Sequence, residues 1–204
     1  MADEMLYQIL FVAIYAMFFS VRVYYRFAKP RRTEPETGIE ERKAFGKAEA
    51  IISIAILGYF GSIILYMLNL SWFVWSQIPS YPEFVRWFGV VLVLPNIPLL
   101  AWIHRTLDRQ YSPCLQIKES HSLITDGPYA RVRHPMYTVF IVFSFGMSLL
   151  TANFLIIAFA ILLMIPFPFV AQKEEQMMLD TFGDEYSEYM KRTGRFLPQM
   201  RGSP

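Results

Sequence analysis

Residues 125–137 concentrate the side chains of this sequence that could do chemistry. They read Thr-Asp-Gly-Pro-Tyr-Ala-Arg-Val-Arg-His-Pro-Met-Tyr and place Arg133, His134 and Tyr137 at the start of a long apolar stretch. A second polar pair, Glu174-Glu175, comes where that stretch ends. If the stretch folds back on itself, both clusters return to one side of the protein, and we expect them to meet at one membrane face.

The residue types in these clusters favour a zwitterionic ligand. Gly127-Pro128 is typical of a turn, and Pro135 suits the first turn of a helix, where its missing N–H costs nothing. The N–H groups of that first turn and the Arg133 guanidinium would favour a carboxylate, which makes Arg133 a candidate for orienting one. The Glu174-Glu175 pair would favour an ammonium or hydroxyl groups. A ligand with both kinds of charge fits such a place better than a plain metal ion or phosphate.

Several other kinds of chemistry lack their motifs. There is no GxGxxG after a strand pattern, no GxxxxGK[ST], and no HExxH among His104, His121 and His134. The single cysteine, Cys114, excludes an internal disulfide and a CxxC site. Ser120-His121-Ser122 has no GxSxG around it, so a serine hydrolase has weak support. We predict no metal site, and a net charge of only +2 does not point to nucleic acid.

The elements that position these clusters are expected to be membrane helices. Hydrophobic residues make up 54% of the chain, and neither residues 50–82 nor residues 135–172 contain Asp, Glu, Lys or Arg. A soluble helical protein needs polar faces that these stretches lack. Apolar stretches cover Met5 to about Arg26, Ala48 to Leu70, Phe84 to Ile103, and Pro135 to Gln172.

The last apolar stretch is too long for one membrane helix. A single helix over residues 135–172 would measure about 57 Å, nearly twice the roughly 30 Å hydrocarbon core. We expect it to turn back at Thr151-Ala152-Asn153, with Asn or Thr as the cap of a helix that begins near Phe154. The prediction is an all-α integral membrane protein with five transmembrane helices. The last two form a hairpin with short arms, and a short helical tail follows. Pro95, Pro98, Pro166 and Pro168 are expected to kink the third and fifth helices.

Basic residues alternate between the loops and predict the orientation. They occur in residues 27–47, 104–134 and 173–201, whereas residues 1–4, the loop over residues 71–83 and the hairpin turn have none. Because short cytoplasmic loops accumulate Lys and Arg, we predict that the N-terminus lies outside and that the site and C-terminus are cytoplasmic. Asp3 and Glu4 in place of a basic leader argue against a cleaved signal peptide.

The chain is predicted to form one membrane-embedded domain over residues 1–198. Residues 199–204 form a tail, and Arg201-Gly202-Ser203-Pro204 is typical of a cloning remnant.

Two separated motifs resemble one known family. The first is Leu123-Ile124-Thr125-x-Gly127-x-Tyr129-x-x-x-Arg133-His134-Pro135-x-Tyr137. The second is Glu174-Glu175-x(6)-Phe182-Gly183-x-Glu185-Tyr186-x-x-Tyr189, followed by Arg195-Phe196-Leu197-Pro198. Their order and spacing resemble the isoprenylcysteine carboxyl methyltransferase and phospholipid methyltransferase family of membrane enzymes, over about residues 120–198.

The resemblance implies a methyltransferase that uses S-adenosylmethionine and releases S-adenosylhomocysteine. It implies a cytoplasmic cofactor site, in a cofactor-binding part over about residues 113–198. The residues implied to line this site are His121, Leu123, Gly127, Tyr129, His134, Pro135, Tyr137, Glu174 and Glu175. Arg133 and Glu174 are then the candidates for catalytic roles. The substrate implied is lipophilic and enters from the bilayer, most simply an isoprenylated thiol whose carboxylate is O-methylated.

Other functions remain open from the sequence. The substrate could instead be a phospholipid headgroup amine that is N-methylated. Membrane sterol-type reductases have a C-terminal region of related architecture that binds a nicotinamide cofactor, although Arg-His-Pro-x-Tyr fits methyltransferases better. A non-enzymatic lipid-binding protein is the third alternative. Oligomeric state has no signal in the sequence.

Overall fold

The computed structural model describes residues 2–27, 54–68, 71–107 and 123–199. Apart from turns and two isolated bridge pairs, these residues are helical. Short 3-10 helices cover Ser71–Ser76 and Gly127–Ala130. The α-helices are α1 (Ala2–Phe27), α2 (Ile54–Met67), α3 (Glu83–Val93), α4 (Asn96–Leu107), α5 (Pro135–Thr151), α6 (Phe154–Met164), α7 (Phe167–Phe182) and α8 (Asp184–Arg192).

Three helical stretches in the described residues are long and apolar enough to cross a membrane. They are Glu4–Tyr25, Glu83–Leu107 and Phe154–Phe182, of which the last two each combine two successive helices. The helices α2 and α5 are also apolar but shorter. The all-helical prediction is confirmed for the described residues. Because length and composition alone single out three spans, the count of five stays a prediction.

The fold-back expected at residues 151–153 lies between α5 and α6. Asn153 is the N-cap of α6, and its Oδ1 accepts the backbone N–H groups of Leu155 (3.1 Å) and Ile156 (3.2 Å). Its Nδ2 donates to Ser76 Oγ at 2.6 Å, and the side chain is fully buried. These bonds satisfy N–H groups that have no partner inside the helix. The predicted cap was Asn or Thr, and the structure shows that Asn153 takes this role.

Prolines interrupt both long stretches. Turns at Leu94-Pro95 and Ile165-Pro166 separate α3 from α4 and α6 from α7. Proline lacks an N–H and its ring crowds the preceding turn, so a continuous helix is disfavoured at these points. Pro98 and Pro168 lie in the first turns of α4 and α7, where no intrahelical bond is lost. The interruptions therefore occur at the first proline of each pair.

The second arm of the hairpin is longer than expected. The helix α7 continues past the end of the apolar stretch at Gln172 and ends at Phe182. Glu174 and Glu175 consequently project from the body of a helix. Neighbouring helical positions point in directions about 100° apart, because a turn takes 3.6 residues. The two carboxylates can therefore have different partners.

Contacts divide the chain into two compact units. One comprises Met1–Ile97 and Ile141–Pro166, the other Pro98–Phe140 and Phe167–Pro204. In the first unit, the buried Arg86 guanidinium donates to both carboxylate oxygens of Glu4, at 2.7 and 3.0 Å. The second unit contains all the predicted site residues that are described. The single domain over residues 1–198 stays a prediction.

Candidate functional site

The glycine-proline turn of the first motif is a short 3-10 helix over Gly127–Ala130. Gly127 has φ +56°, a conformation that residues with a side chain rarely adopt. A Cβ at this position would also lie 2.9 Å from Thr106 Oγ1 and 3.2 Å from Trp102 Nε1. Both the backbone conformation and the close approach of α4 therefore require glycine here.

The first motif pairs with the chain segment that follows α8. The backbone N–H of Arg133 donates to the Gly194 carbonyl at 2.8 Å, and that of His134 donates to the Arg195 carbonyl at 3.0 Å. The Thr138 hydroxyl donates to the Phe196 carbonyl at 2.6 Å. These bonds fix residues 194–196 against the start of α5, so side chains far apart in sequence lie side by side.

The helix α8 packs on the same motif. The Tyr189 hydroxyl donates to the Tyr129 carbonyl at 2.7 Å, and the side chains of Tyr186 and Tyr189 are buried. Burial raises the pKa of Tyr189 to about 12, so this hydroxyl keeps its proton at physiological pH. This hydrogen bond holds the 3-10 helix over Gly127–Ala130 against α8.

Glu175 is a buried carboxylate shared by two arginines. Its Oε1 accepts from Arg133 Nε at 2.8 Å, and its Oε2 accepts from Arg195 Nε at 3.0 Å and from Arg195 Nη2. The Glu175 residue is only 2% exposed. Arg133 Nη1 donates to the carbonyls of Met190 and Thr193. The guanidinium predicted to orient a ligand carboxylate thus directs these donors to protein acceptors.

Glu174 has a more open position. Its Oε1 accepts the Tyr137 hydroxyl at 2.7 Å, and its Oε2 lies 3.1 Å from His134 Nδ1. Its side chain is 31% exposed, against 3% for Glu175. The Tyr137 ring stacks on His134 and on Phe167, with centroid distances of 5.5 and 5.1 Å. Glu174 is therefore an oriented carboxylate that a ligand can still reach.

His134 lies between the two carboxylates. In addition to the Glu174 contact, its Nε2 lies 3.3 Å from Glu175 Oε1, without the alignment of a hydrogen bond. Burial lowers the pKa of His134, but the contact with Glu174 and the negative charges of Glu174 and Glu175 outweigh it and raise the pKa above its usual 6.5. The stabilisation from the imidazolium is fully present below the ordinary pKa and is lost as the pH rises through the raised one.

The structure brings most of the predicted site residues together. Arg133, His134, Tyr137, Glu174 and Glu175 form one cluster. Gly127 and Tyr129 lie in the turn, Pro135 begins α5, and Leu123 is half-buried ahead of the turn. His121 lies outside the described residues. No group of three or more metal-ligating side chains occurs among the described residues.

Sequence reasoning did not give Arg195, Phe196 and Phe167 a place in the site. Arg195 binds Glu175, the Phe196 ring lies 6.0 Å from the His134 ring, and Phe167 stacks on Tyr137. The Arg-Phe-Leu-Pro ending of the motif was the available signal for the first two. No sequence motif distinguishes Phe167 from the other apolar residues around it.

Fold and site together define an integral, multi-pass membrane protein with a polar cluster where α5, α7 and the segment after α8 meet. Its helical arrangement is similar to a solved structure described as the eukaryotic intramembrane Ras methyltransferase ICMT (isoprenylcysteine carboxyl methyltransferase). The TM-score is 0.56 at 18% identity, and the match covers 95% of this chain and 64% of that one. At this identity the likeness establishes the fold.

Sequence comparison identifies the family. The profile of the isoprenylcysteine carboxyl methyltransferase (ICMT) family matches residues 87–180. A probable protein-S-isoprenylcysteine O-methyltransferase of Oryza sativa subsp. indica is 30% identical over 144 residues, which cover 65% of this chain and 75% of that protein. The chain belongs to the isoprenylcysteine carboxyl methyltransferase family, and the predicted family of membrane methyltransferases is confirmed.

The shared sequence is shorter in another relative. The protein-S-isoprenylcysteine O-methyltransferase of Schizosaccharomyces pombe is 36% identical over 83 residues. Those residues cover 39% of this chain and 34% of the yeast protein. The chain thus spans about a third of that relative and three quarters of the rice protein.

Proposed function

We propose that this protein transfers a methyl group from S-adenosylmethionine to the carboxylate of an isoprenylated cysteine. Family membership and the activities named for the rice and yeast relatives support this assignment. The observation that carries it is Glu174, a partly exposed carboxylate held by the Tyr137 hydroxyl beside His134. These residues lie within the sequence that the family profile matches.

The donor set suits the cofactor. When bound, S-adenosylmethionine supplies a methyl group on a positively charged sulfur and carries an amino-acid head with both charges. Glu174 offers a carboxylate for a positive group, and the Tyr137 ring, stacked on Phe167, gives the site an aromatic wall beside that carboxylate. The cofactor site proposed from the motifs also includes His121, Leu123, Gly127, Tyr129, His134 and Pro135.

Glu175 and Arg133 are assigned positioning roles. Both side chains are at least nine-tenths buried, and they bind each other and the segment after α8. Their pairing holds residues 193–196 beside His134 and keeps Glu174 facing the open side of α7. In this assignment Glu174 contacts the ligand and Glu175 supports it.

The residues required for the reaction are few. A substrate carboxylate with a pKa of about 3.3–3.7 is already ionised at neutral pH and needs no general base. The protein's contribution is then to orient the nucleophile in line with the methyl group and to exclude water. Aromatic and apolar side chains around Glu174 serve the second purpose. The substrate is lipophilic, and we propose that it reaches the site from the bilayer.

The pH dependence of methyl transfer separates a carboxylate nucleophile from an amine. In single-turnover measurements at saturating ligand, we expect a near-flat rate between pH 6 and about pH 8, because the carboxylate stays ionised. An amine with a pKa near 10 would instead gain about tenfold in rate for each pH unit. Because the pKa of His134 is raised above 6.5, any effect of losing its proton appears as a change in rate above that pH. A His134→Asn variant, which lacks this titration, identifies the effect.

The outcome of this profile decides the substrate class. A rate that rises with unit slope from pH 6 in both the wild type and His134→Asn would contradict carboxylate methylation and favour a phospholipid headgroup amine. Absence of S-adenosylhomocysteine binding in detergent would contradict the methyltransferase assignment itself. Binding of a nicotinamide cofactor instead would favour the reductase alternative.

We also propose five membrane spans with the N-terminus outside and the site in the cytoplasm. The alternation of basic and non-basic loops supports this orientation. In addition to the three long stretches, α2 and α5 would complete the five spans, α5 with α6 as the predicted hairpin.

Cysteine labelling on intact cells tests the orientation. With Cys114 replaced by serine, an impermeant maleimide should label a cysteine at position 75 and spare one at position 118 until the cells are opened. Trp75 is a suitable site because its side chain is 62% exposed. Labelling of position 118 alone on intact cells would reverse the proposed topology.

A further inference from the structure

Arg195 is held beside the site by its backbone and its side chain. Its carbonyl accepts the His134 N–H at 3.0 Å, so the two residues lie side by side. Its Nε and Nη2 both donate to one oxygen of Glu175, whose other oxygen faces Arg133 and His134. The Arg195 guanidinium therefore belongs to the same charged cluster as the residues of the two motifs.

The two arginines of this cluster differ in access. The Arg133 side chain is 9% exposed and binds Glu175 and two carbonyls, whereas the Arg195 side chain is 37% exposed. Arg195 Nη1 makes no hydrogen bond to any of the described residues, so this edge of the guanidinium remains available. Around Glu175, two guanidinium charges share a single carboxylate. The Arg195 guanidinium is the more accessible of the two.

We infer that Arg195 binds the carboxylate of a ligand in the proposed methyltransferase site. The inference rests on the proposed function and assigns to Arg195 the carboxylate-binding role that sequence reasoning gave to Arg133. A guanidinium can bind one carboxylate through one edge and a second through another, because its donors lie in a fixed plane. Glu175 holds the guanidinium in place, and the ligand carboxylate completes its coordination.

Two ligands of this site carry a suitable carboxylate. One is the amino-acid head of the cofactor, and the other is the cysteine carboxylate of the substrate. Both present the same group to the guanidinium. Pairs of ligands that differ only in this carboxylate distinguish them.

The test measures how strongly the protein prefers the carboxylate form of each ligand. Dissociation constants are measured on the full chain in detergent for S-adenosylhomocysteine and its decarboxylated analogue. The same is done for N-acetyl-S-farnesylcysteine and its carboxamide. We expect the wild type to prefer the carboxylate by roughly tenfold or more in one of the two pairs. In Arg195→Gln that preference should disappear, while affinity for the matching neutral analogue stays within about threefold.

Each alternative outcome has a definite meaning. A variant that loses affinity for the neutral analogue as much as for the carboxylate ligand has a damaged site, and this contradicts the inference. An unchanged preference contradicts it too, as does a wild type with no preference in either pair. The proposed function itself fails on a different result, which is the absence of S-adenosylhomocysteine binding to the wild type.

Two further variants complete the test. Lys191→Gln removes the same charge from the same tail segment, but Lys191 is 68% exposed and pairs with Glu188. It should leave both preferences unchanged, and a loss equal to that in Arg195→Gln would contradict a specific contact. Arg195→Lys keeps the charge but not the planar donors, so an intermediate preference is expected.

Discussion

Glu175→Gln should cost more stability than any other single substitution in the polar cluster. The change leaves two arginines facing a neutral amide, and Arg133 is almost fully buried. Removing one partner of a buried ion pair typically costs about 3–5 kcal/mol. For a protein of this size, that corresponds to a decrease in the unfolding midpoint on the order of 10 °C. Thermal unfolding in detergent, followed by circular dichroism or intrinsic fluorescence, measures it directly.

The matched control is Glu188→Gln. It makes the same chemical change in a carboxylate that is 69% exposed and pairs only with Lys191 among the described residues. Exposed pairs contribute little, so its unfolding midpoint should stay within about 2 °C of the wild type. A Glu175→Gln variant that is equally stable but no longer binds S-adenosylhomocysteine would show that Glu175 contacts the cofactor, as the motif alone suggests, and would remove its positioning role.

The amino-acid sequence alone predicts those features of this protein that depend on interactions between neighbouring residues. A 38-residue apolar stretch is too long for a single crossing of the membrane, and Thr151 and Asn153 in its middle can each cap a helix. The structure uses Asn153. The prolines interrupt helices for an equally local reason. Such features follow from a few neighbouring residues, so one sequence is enough to place them.

The roles of the charged residues depend on a tertiary contact instead. Nothing near Arg133 in the sequence indicates that the end of α8 and the segment after it lie against this residue. That packing nevertheless brings the Met190 and Thr193 carbonyls to its guanidinium. The same contact brings Arg195 to Glu175. Adjacent glutamates also look equivalent in a sequence. Only their position on α7 separates the buried Glu175 from the accessible Glu174.

Glu174→Ala is expected to weaken S-adenosylhomocysteine binding by roughly ten- to a hundredfold. The substitution removes the partly exposed carboxylate that we propose contacts the cofactor's positive group, and such a contact contributes about 1.5–3 kcal/mol. Unlike Glu175→Gln, it leaves no arginine without its partner, so the loss of stability should be smaller than in that variant. Calorimetry in detergent gives the affinity, with Glu188→Ala as the control that should bind normally.

Tyr137 allows the same prediction to be tested as a pairwise effect. Its hydroxyl donates to Glu174, and if it acts by orienting that carboxylate, Tyr137→Phe should weaken binding by less than Glu174→Ala. The double variant Tyr137→Phe/Glu174→Ala should then lose as much affinity as Glu174→Ala alone, because the Tyr137 hydroxyl acts only through the Glu174 carboxylate. Losses that add fully would mean that Tyr137 contacts the cofactor independently of Glu174.

Glu174→Gln separates binding from proton transfer. The amide keeps the shape and can still accept the Tyr137 hydroxyl, but it cannot take up a proton. If the nucleophile is an ionised carboxylate, methyl transfer at saturating ligand should persist in this variant at a rate within about tenfold of the wild type, since no base is needed. An amine nucleophile that relies on Glu174 would lose turnover almost entirely while the variant still binds S-adenosylhomocysteine. Single-turnover rates, compared with affinity in the same preparation, therefore decide whether Glu174 only binds the cofactor or also acts as a base.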